Sequence, residues 1–308
     1  MELRYDAVLL IGFGGPTEPE EIRPFIERVL SGRHVAPSRV EEVARHYERV
    51  GGRSPYNDLT FRQARALTAE LEDRGFALPV SVGFRHASPF LRESLERLAA
   101  LGSRRAIAFI LAPHRTEASW DGYRREVAAA LAGLGRGLAV DYCPAWHTHP
   151  LLIAAWIKKI EAALAAVDAS GELEAEVIFT AHSVPLAMAA ASGYAAQVEA
   201  TAARIAERLA GRDWSVAYQS RSGRPEDPWL EPDIAAAIRD SARRGKKAVV
   251  AAPIGFVSDH VEILYDLAVE ARAFAEELNL RFARAACLND EPLFIRMIAD
   301  LIAAEIRR

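Results

Sequence analysis

Apolar positions along the 308 residues follow two alternating patterns. Short runs rich in Val, Ile, Ala and Phe recur at DAVLLIG (6–12), PVSVGF (79–84), RAIAFIL (105–111) and LAVDYCP (138–144). Four more follow at AEVIFTA (175–181), WSVAYQS (214–220), KAVVAAPI (247–254) and LRFARAA (280–286). Their nearly unbroken apolar character predicts strands covered on both faces, as in parallel sheets. Between them, segments such as RQARALTAELEDRG (62–75) and YAAQVEATAARIAERLAG (194–211) repeat apolar residues at helical spacing. Strand and helix in alternation predict an α/β protein with parallel sheets.

The two sets of strands rhyme. Each first strand runs into a turn containing proline, IGFGGP (11–16) and FTAHSVP (179–185). Each third strand ends in Ala-Pro and a polar loop, LAPHRTEASW (111–120) and AAPIGFVSDH (251–260). This predicts two four-stranded domains, at 1–160 and 161–290, with a final helix at 291–308 packing back on the core. In such sheets ligands lie beyond the carboxyl ends of the strands. The loops at 12–18, 84–90, 112–123, 143–150, 181–188, 218–231 and 254–262 would then face each other across a cleft.

Composition narrows the classes. The chain is 51% hydrophobic and 26% charged with a formal net charge of −4, as in ordinary globular proteins. It has no basic run that would mark a nucleic-acid surface. The N-terminus lacks the shape of a signal peptide, and no apolar stretch is long enough to span a bilayer, so a cytoplasmic protein is expected; it is read as a monomer. Cys143 and Cys287 stand far apart without a CxxC pair, which predicts buried free thiols and no iron–sulfur cluster.

Candidate chemistry gathers in the strand-end loops. GFGGP (12–16) does not fit a dinucleotide fingerprint or a P-loop; a tight turn letting backbone approach a flat ligand suits it better, beside the plainer reading of a simple turn. His182 lies at the end of a strand, where imidazole accepts protons near neutral pH and binds borderline metals. Ser183 beside it has no G-x-S-x-G context and no claim as a nucleophile. Asp259, Glu262, Asp266 and Glu270 would share one row of a helix, with like charges that repel by roughly 0.2–0.5 kcal/mol per pair. Such a row is either a solvated face or a path for cations and protons. His260 adjoins it. Arg33, Arg45, Arg53, Ser54, His86, Arg115, Thr116, Ser119 and Tyr123 could hold an anionic ligand, and Phe13, Trp146, Tyr218 and Trp229 could stack on a flat one.

Together, FTAHSVP, YQSR (218–221), PWLEPD (228–233) and PIGFVSDHVEILYD (253–266) resemble the signature of the ferrochelatases. IGFGGP, HYERVGGRSPYN (46–57) and GFRHASPFL (83–91) extend the resemblance from about residue 5 to the C-terminus. It implies the class II chelatase fold, two Rossmann-like domains with a porphyrin between them, and insertion of Fe²⁺ into that porphyrin during haem synthesis. It implies His182 as the active-site histidine, Glu262 as its carboxylate partner, and Asp266 and Glu270 as a relay for metal or protons. Phe13, Arg33, Arg45, Ser54, His86, Ser119, Tyr123 and Trp229 would contact the substrate. The partners would be Fe²⁺ and coproporphyrin III or protoporphyrin IX, with coproporphyrin III favoured and no organic cofactor required. Two departures stand out: Phe13 replaces a tyrosine found in many relatives, and His46 replaces an arginine. A cobalt chelatase of the same fold and a non-catalytic haem carrier are the competing expectations.

Overall fold

Eight short strands and eleven α-helices make up most of the regular structure among the described residues of the computed structural model, which are 3–31, 37–135, 137–168, 174–209, 211–222 and 227–308. Arg33 lies outside the described residues. The first four strands are β1 (Ala7–Gly12), β2 (Val80–Phe84), β3 (Arg105–Ile110) and β4 (Ala139–Tyr142). The second four are β5 (Ala175–His182), β6 (Trp214–Gln219), β7 (Ala248–Ala252) and β8 (Arg281–Arg284). They form two four-stranded parallel sheets, β2-β1-β3-β4 and β6-β5-β7-β8, with one topology repeated. In register, Leu10 of β1 lies between Val82 and Phe109. Phe179 of β5 lies between Val216 and Ala252.

That strand order decides where chemistry can sit. β1 and β5 are the strands on either side of which the winding reverses, and the crevice beyond such a strand is where open α/β sheets bind ligands. Phe13 follows β1 by one residue, and His182 is the last residue of β5. The two lie at matching points of the repeat.

The helices are α1 (Ile22–Leu30), α2 (Pro37–Arg49), α3 (Tyr56–Asp73), α4 (Leu91–Ala100), α5 (Gly122–Leu134) and α6 (Pro150–Val167). They continue with α7 (Leu186–Ser192), α8 (Tyr194–Ala206), α9 (Ile234–Arg243), α10 (Arg272–Glu277) and α11 (Pro292–Ile306). The expected domain boundary at 160/161 falls inside α6, which is continuous and packs on β7, β8 and α8. α11 crosses the other way and packs on α3, α6 and β3. Its buried residues Phe294, Ile295, Met297, Ile298 and Ile302 surround much of its circumference, as suits a helix covered by both halves. Trp146, which the sequence offered as a stacking aromatic, is instead core: it lies 5.1 Å from Phe109 and 5.9 Å from Phe294, ring centre to ring centre. Cys143 and Cys287 are buried free thiols.

Alternation along the second sheet splits its two faces. Val177, Phe179, Val250 and Ala252 join the main apolar cluster, which also holds Leu9, Phe109 and Trp156 from the first half. Ile178, Val249 and Ala251 point the other way and pack against Ile263, Leu267 and Ala271. The segment carrying those three is thereby fixed beside the end of β5. A close approach tightens the join further. A Cβ on Gly255 would fall 2.7 Å from Cα of Ala181, so only glycine lets the loop after β7 lie against the residue before His182. Gly255→Ala should cost about 1–3 kcal/mol by overpacking. Urea unfolding at constant m-value measures it.

Candidate active site

His182 closes β5 with its ring turned into the cleft. The Ser183 carbonyl can only accept, so Nδ1 carries the proton and donates to it at 2.5 Å. Nε2 is left facing Glu262, with Oε1 3.8 Å away. The turn beneath is locked. Ser183 N–H donates to the Gln219 carbonyl at 2.7 Å, and Tyr194 O–H donates to the His182 carbonyl at 3.1 Å. The Ser183 hydroxyl donates to the Leu230 carbonyl at 3.0 Å and is thus committed to structure. Trp229 lies alongside, pairing its backbone with Pro185, and is 7% exposed.

Glu262 comes from the start of the helix after β7. Its carboxylate sits between two imidazoles, His182 on one oxygen and His260 on the other at 3.9 Å from Nδ1. The Phe256 ring flanks both histidines, at 6.5 Å from His182 and 4.9 Å from His260. Burial alone would lower the pKa of His182, but the charge and hydrogen bond of Glu262 outweigh it and raise the value. At His260 burial wins over Glu262 and Asp259, and the pKa falls. Burial resists ionisation of Glu262, yet His182 and His260 pull its pKa down to about 2. One carboxylate thus serves a histidine inclined to be charged and another inclined to be neutral.

The acidic row is only partly as expected. Ile263–Ala271 is π-helical rather than α-helical, a rare geometry concentrated at functional sites. Glu262, Asp266 and Glu270 follow one side, while Ile263, Leu267 and Ala271, each one position later, enter the core. Asp259 does not belong to the row: it precedes the helix, and Arg284 and Asn289 hold its carboxylate at 2.6 and 2.9 Å. Burial first, then the charge of Glu262, pushes the pKa of Asp266 up to about 7, against the hydrogen bond from Ser220. Near neutral pH Glu262 is therefore charged while Asp266 is partly protonated, and the repulsion between these two is relieved by a bound proton. Glu270 is exposed, so the row leads from the cleft to solvent.

The first half supplies an aromatic wall. Phe13 is 37% exposed, edge-on to Phe25 at 6.1 Å and tilted on His86 at 4.6 Å. Behind His86 is an open hollow of about 570 Å³, lined by Arg28, Arg85 and Glu126 among others. Arg45 is exposed on α2. His46, on the next position, stacks flat on Tyr265 at 3.8 Å, and Arg49 donates to the Tyr265 hydroxyl at 3.2 Å. α2 is thus clasped to the π-helix. Ser54, Ser119 and Tyr123 are built into the walls. Ser54 is 3% exposed and accepts the Tyr56 N–H at 3.3 Å. Ser119 accepts the Thr116 N–H at 3.0 Å, and Tyr123 is buried beneath the Arg85 guanidinium. Sequence reasoning gave no role to Phe256, Ser220 or Asn289. For Ser220 the YQSR motif was the available signal.

A histidine and a carboxylate facing each other beyond the strand ends of one parallel sheet, with acids leading outward and an aromatic wall on the other half, mark an α/β enzyme of the chelatase class. The chain belongs to the ferrochelatase family, whose model matches residues 5–306. It is 39% identical over 311 residues to the coproporphyrin III ferrochelatase of Mycobacteroides abscessus, covering 97% of this chain and 88% of that one. It is 40% identical to the coproporphyrin III ferrochelatase of Frankia alni, covering 96% and 79%. A ferrochelatase of Rhodopirellula baltica is 36% identical over 97% and 85%. Among solved structures, SirB from Bacillus subtilis shares the fold at a TM-score of 0.62 and 9% identity, over 97% of this chain and 95% of that one. CbiX, the terminal enzyme of siroheme biosynthesis in denitrifying bacteria, shares it at 0.56 and 15%, over 97% and 98%. No described helix is long and apolar enough to cross a membrane.

Asp266 gives the site a pH signature. Its folded pKa is raised, so folding is favoured with the proton on and penalised once pH climbs past the unfolded value. The penalty grows between about pH 4 and 7 and then levels off. Asp266→Asn should therefore be the more stable protein at pH 8, by on the order of 1–3 kcal/mol, and lose that advantage near pH 4. Thermal unfolding of both proteins across this range measures the difference.

Proposed function

We propose that the chain inserts Fe²⁺ into coproporphyrin III, releasing two pyrrole protons, in the cytoplasmic synthesis of haem. The observation that carries this is His182 facing Glu262 at 3.8 Å at the switch point of one sheet, with the Phe13 wall at the matching point of the other. The names of the Mycobacteroides and Frankia relatives support coproporphyrin III as the ring. A flat tetrapyrrole would lie on Phe13 with its other face towards His182 and Glu262. Its carboxylate arms would meet cations at the cleft mouth, of which Arg28 and Arg45 are candidates; Arg33 is a third by sequence. Ser54, Ser119 and Tyr123 would act by shaping the walls. No organic cofactor is needed for an exchange of one divalent cation against two protons.

His182 serves as base. When neutral, its Nε2 lone pair faces the cleft, because Nδ1–H is tied to the Ser183 carbonyl. Glu262 receives the metal from the row. A cation bound there withdraws the negative charge that holds the imidazole proton, so His182 gives that proton up and is ready to take one from a pyrrole N–H. Asp266, with its pKa near neutrality, and exposed Glu270 carry the proton outward. One nitrogen and a few oxygens bind iron loosely, as suits a metal in transit. We place the division between the halves just ahead of α6.

Anaerobic mixing of the protein with Fe²⁺ and either coproporphyrin III or protoporphyrin IX, followed through the visible bands, tests this. Coproporphyrin III should be metallated the faster. His182→Ala should lose about 10²–10⁴-fold in kcat with porphyrin binding retained, and Glu262→Gln should slow turnover strongly. Equal rates in His182→Ala and the wild type would place the base elsewhere. Tight haem binding with no metallation would favour a carrier, and preference for Co²⁺ on a corrin precursor a cobalt chelatase.

A further inference from the structure

The loop from Pro253 to His260 must present His260 and Glu262 to His182, yet it contains neither helix nor strand. It is braced instead by a residue beyond β8. Asn289 adopts the left-handed backbone conformation, with φ of 52°, and uses all its polar groups on this loop and its neighbour α3. Its N–H donates to the Val257 carbonyl at 2.7 Å, and its own carbonyl accepts from Nε2 of Gln63, on α3, at 2.8 Å. Its side-chain Oδ1 accepts the Asp259 N–H at 2.9 Å, while Nδ2 donates to Asp259 Oδ2 at 2.9 Å. Arg284 donates to the other Asp259 oxygen at 2.6 Å. Gln63 completes the join by donating to the Ser258 hydroxyl at 3.1 Å. Gln63 and Ser258 are buried, and the Asp259 and Arg284 side chains are only 14% and 15% exposed.

We infer that Asn289, with Asp259 and Arg284, is a positioning bracket that aims His260 and Glu262 at His182, and that Asp259 is not a station for metal. This rests on Glu262 being the carboxylate that receives iron. Both oxygens of Asp259 are engaged by donors, one of them a guanidinium that would repel an incoming cation. The residue's position is what matters: it lies one residue before His260 and three before Glu262. Releasing it frees the loop without removing any group that meets substrate. A misplacement of about 1 Å in such a site can cost 10²-fold in rate.

The pair can be exchanged as well as broken. In Asp259→Asn the amide has one oxygen for two donors, so either Arg284 or Asn289 loses its partner. In Asn289→Asp two carboxylates face each other. In the double variant the side chains trade roles. The new amide at position 259 donates through its nitrogen to the new carboxylate at 289 and accepts from Arg284 through its oxygen. The carboxylate at 289 also accepts the backbone N–H of position 259. Every partner is restored with the same net charge. Asn289→Gly is the gentlest break, since glycine accepts the left-handed backbone and keeps both backbone hydrogen bonds.

Steady-state iron insertion into coproporphyrin III, with porphyrin affinity from fluorescence quenching, decides the matter. Asn289→Gly and each single exchange should lower kcat by about 10–100-fold. KM for the porphyrin should stay within about twofold, because the ring is held elsewhere. The double exchange should recover to within about threefold of the wild type, a coupling that a general loss of stability does not produce. Unchanged kcat in Asn289→Gly would overturn the bracket. A double variant no faster than Asp259→Asn would overturn it too, by showing that the carboxylate at 259 itself handles metal. If Asn289→Gly does not fold, the double exchange still decides. A wild type that metallates no porphyrin would sink the proposed function instead, which separates the two failures.

Discussion

A carboxylate held between two imidazoles in a partly buried cleft is the interaction on which the site depends. Burial disfavours every charge there, and each group survives ionised only by what its neighbour supplies. Glu262 stays charged because His182 and His260 face it, and His182 leans towards its protonated form because Glu262 faces it. Asp266 has no such pair of partners and keeps its proton up to near neutrality. The three acids of the row are therefore not equivalent, although nothing in their spacing distinguishes them. In the proposed reaction a cation entering this arrangement would displace protons rather than add charge.

The duplicated fold explains why the two walls of the cleft can differ so much. Each half ends its switch-point strand in a proline-containing turn, and each third strand leads to a π-helical turn, Glu117–Asp121 in one half and Ile263–Ala271 in the other. The shared frame fixes where side chains project; what they are differs between the halves. The first half offers Phe13, Phe25 and His86 as a largely aromatic surface, and the second offers histidines and acids. A planar ring needs stacking on one face only, which leaves the other open to base and metal. Phe13 suits that division, since a phenyl ring offers a flat apolar face and no oxygen.

Much of this was legible in the sequence. All eight strands fall within a residue or two of the apolar runs. The central β1, β3, β5 and β7 are buried on both faces and leave an unbroken signature, while the edge strand β4 keeps it although partly exposed. His182 and Glu262 face each other beyond the strand ends of the second sheet, where their loops were expected to lie. What was not legible depends on partners far away in the chain. Asp259 fits the four-residue spacing, but Arg284 and Asn289 remove it from the row, and no pattern local to 255–271 records that. Ser54 has the composition of a ligand-binding loop residue, yet Gly15 approaches so closely that a Cβ there would lie 2.7 Å from the serine oxygen. The backbone of one turn is packed on the side chain of the other, and the hydroxyl is left facing inward.

The halves are also bound together at the places where the site needs them to be. α11 returns from the second half to cover α3 and β3, and His46 on α2 stacks on Tyr265 within the π-helix. A flat aromatic stack resists sliding less than an interlocked apolar core does, so the two joins differ in kind. The core join fixes the distance between the sheets. The stacked join, reinforced by Arg49 and the small cluster around Val261, ties α2 to the outlet of the acidic row. Stability varies locally within a fold, and segments with few buried apolar contacts open at lower free energy than the core. Of the two joins, the one through α2 carries the fewer buried apolar side chains, Ala44 and Tyr47 against Phe294, Ile295, Met297, Ile298 and Ile302 of α11.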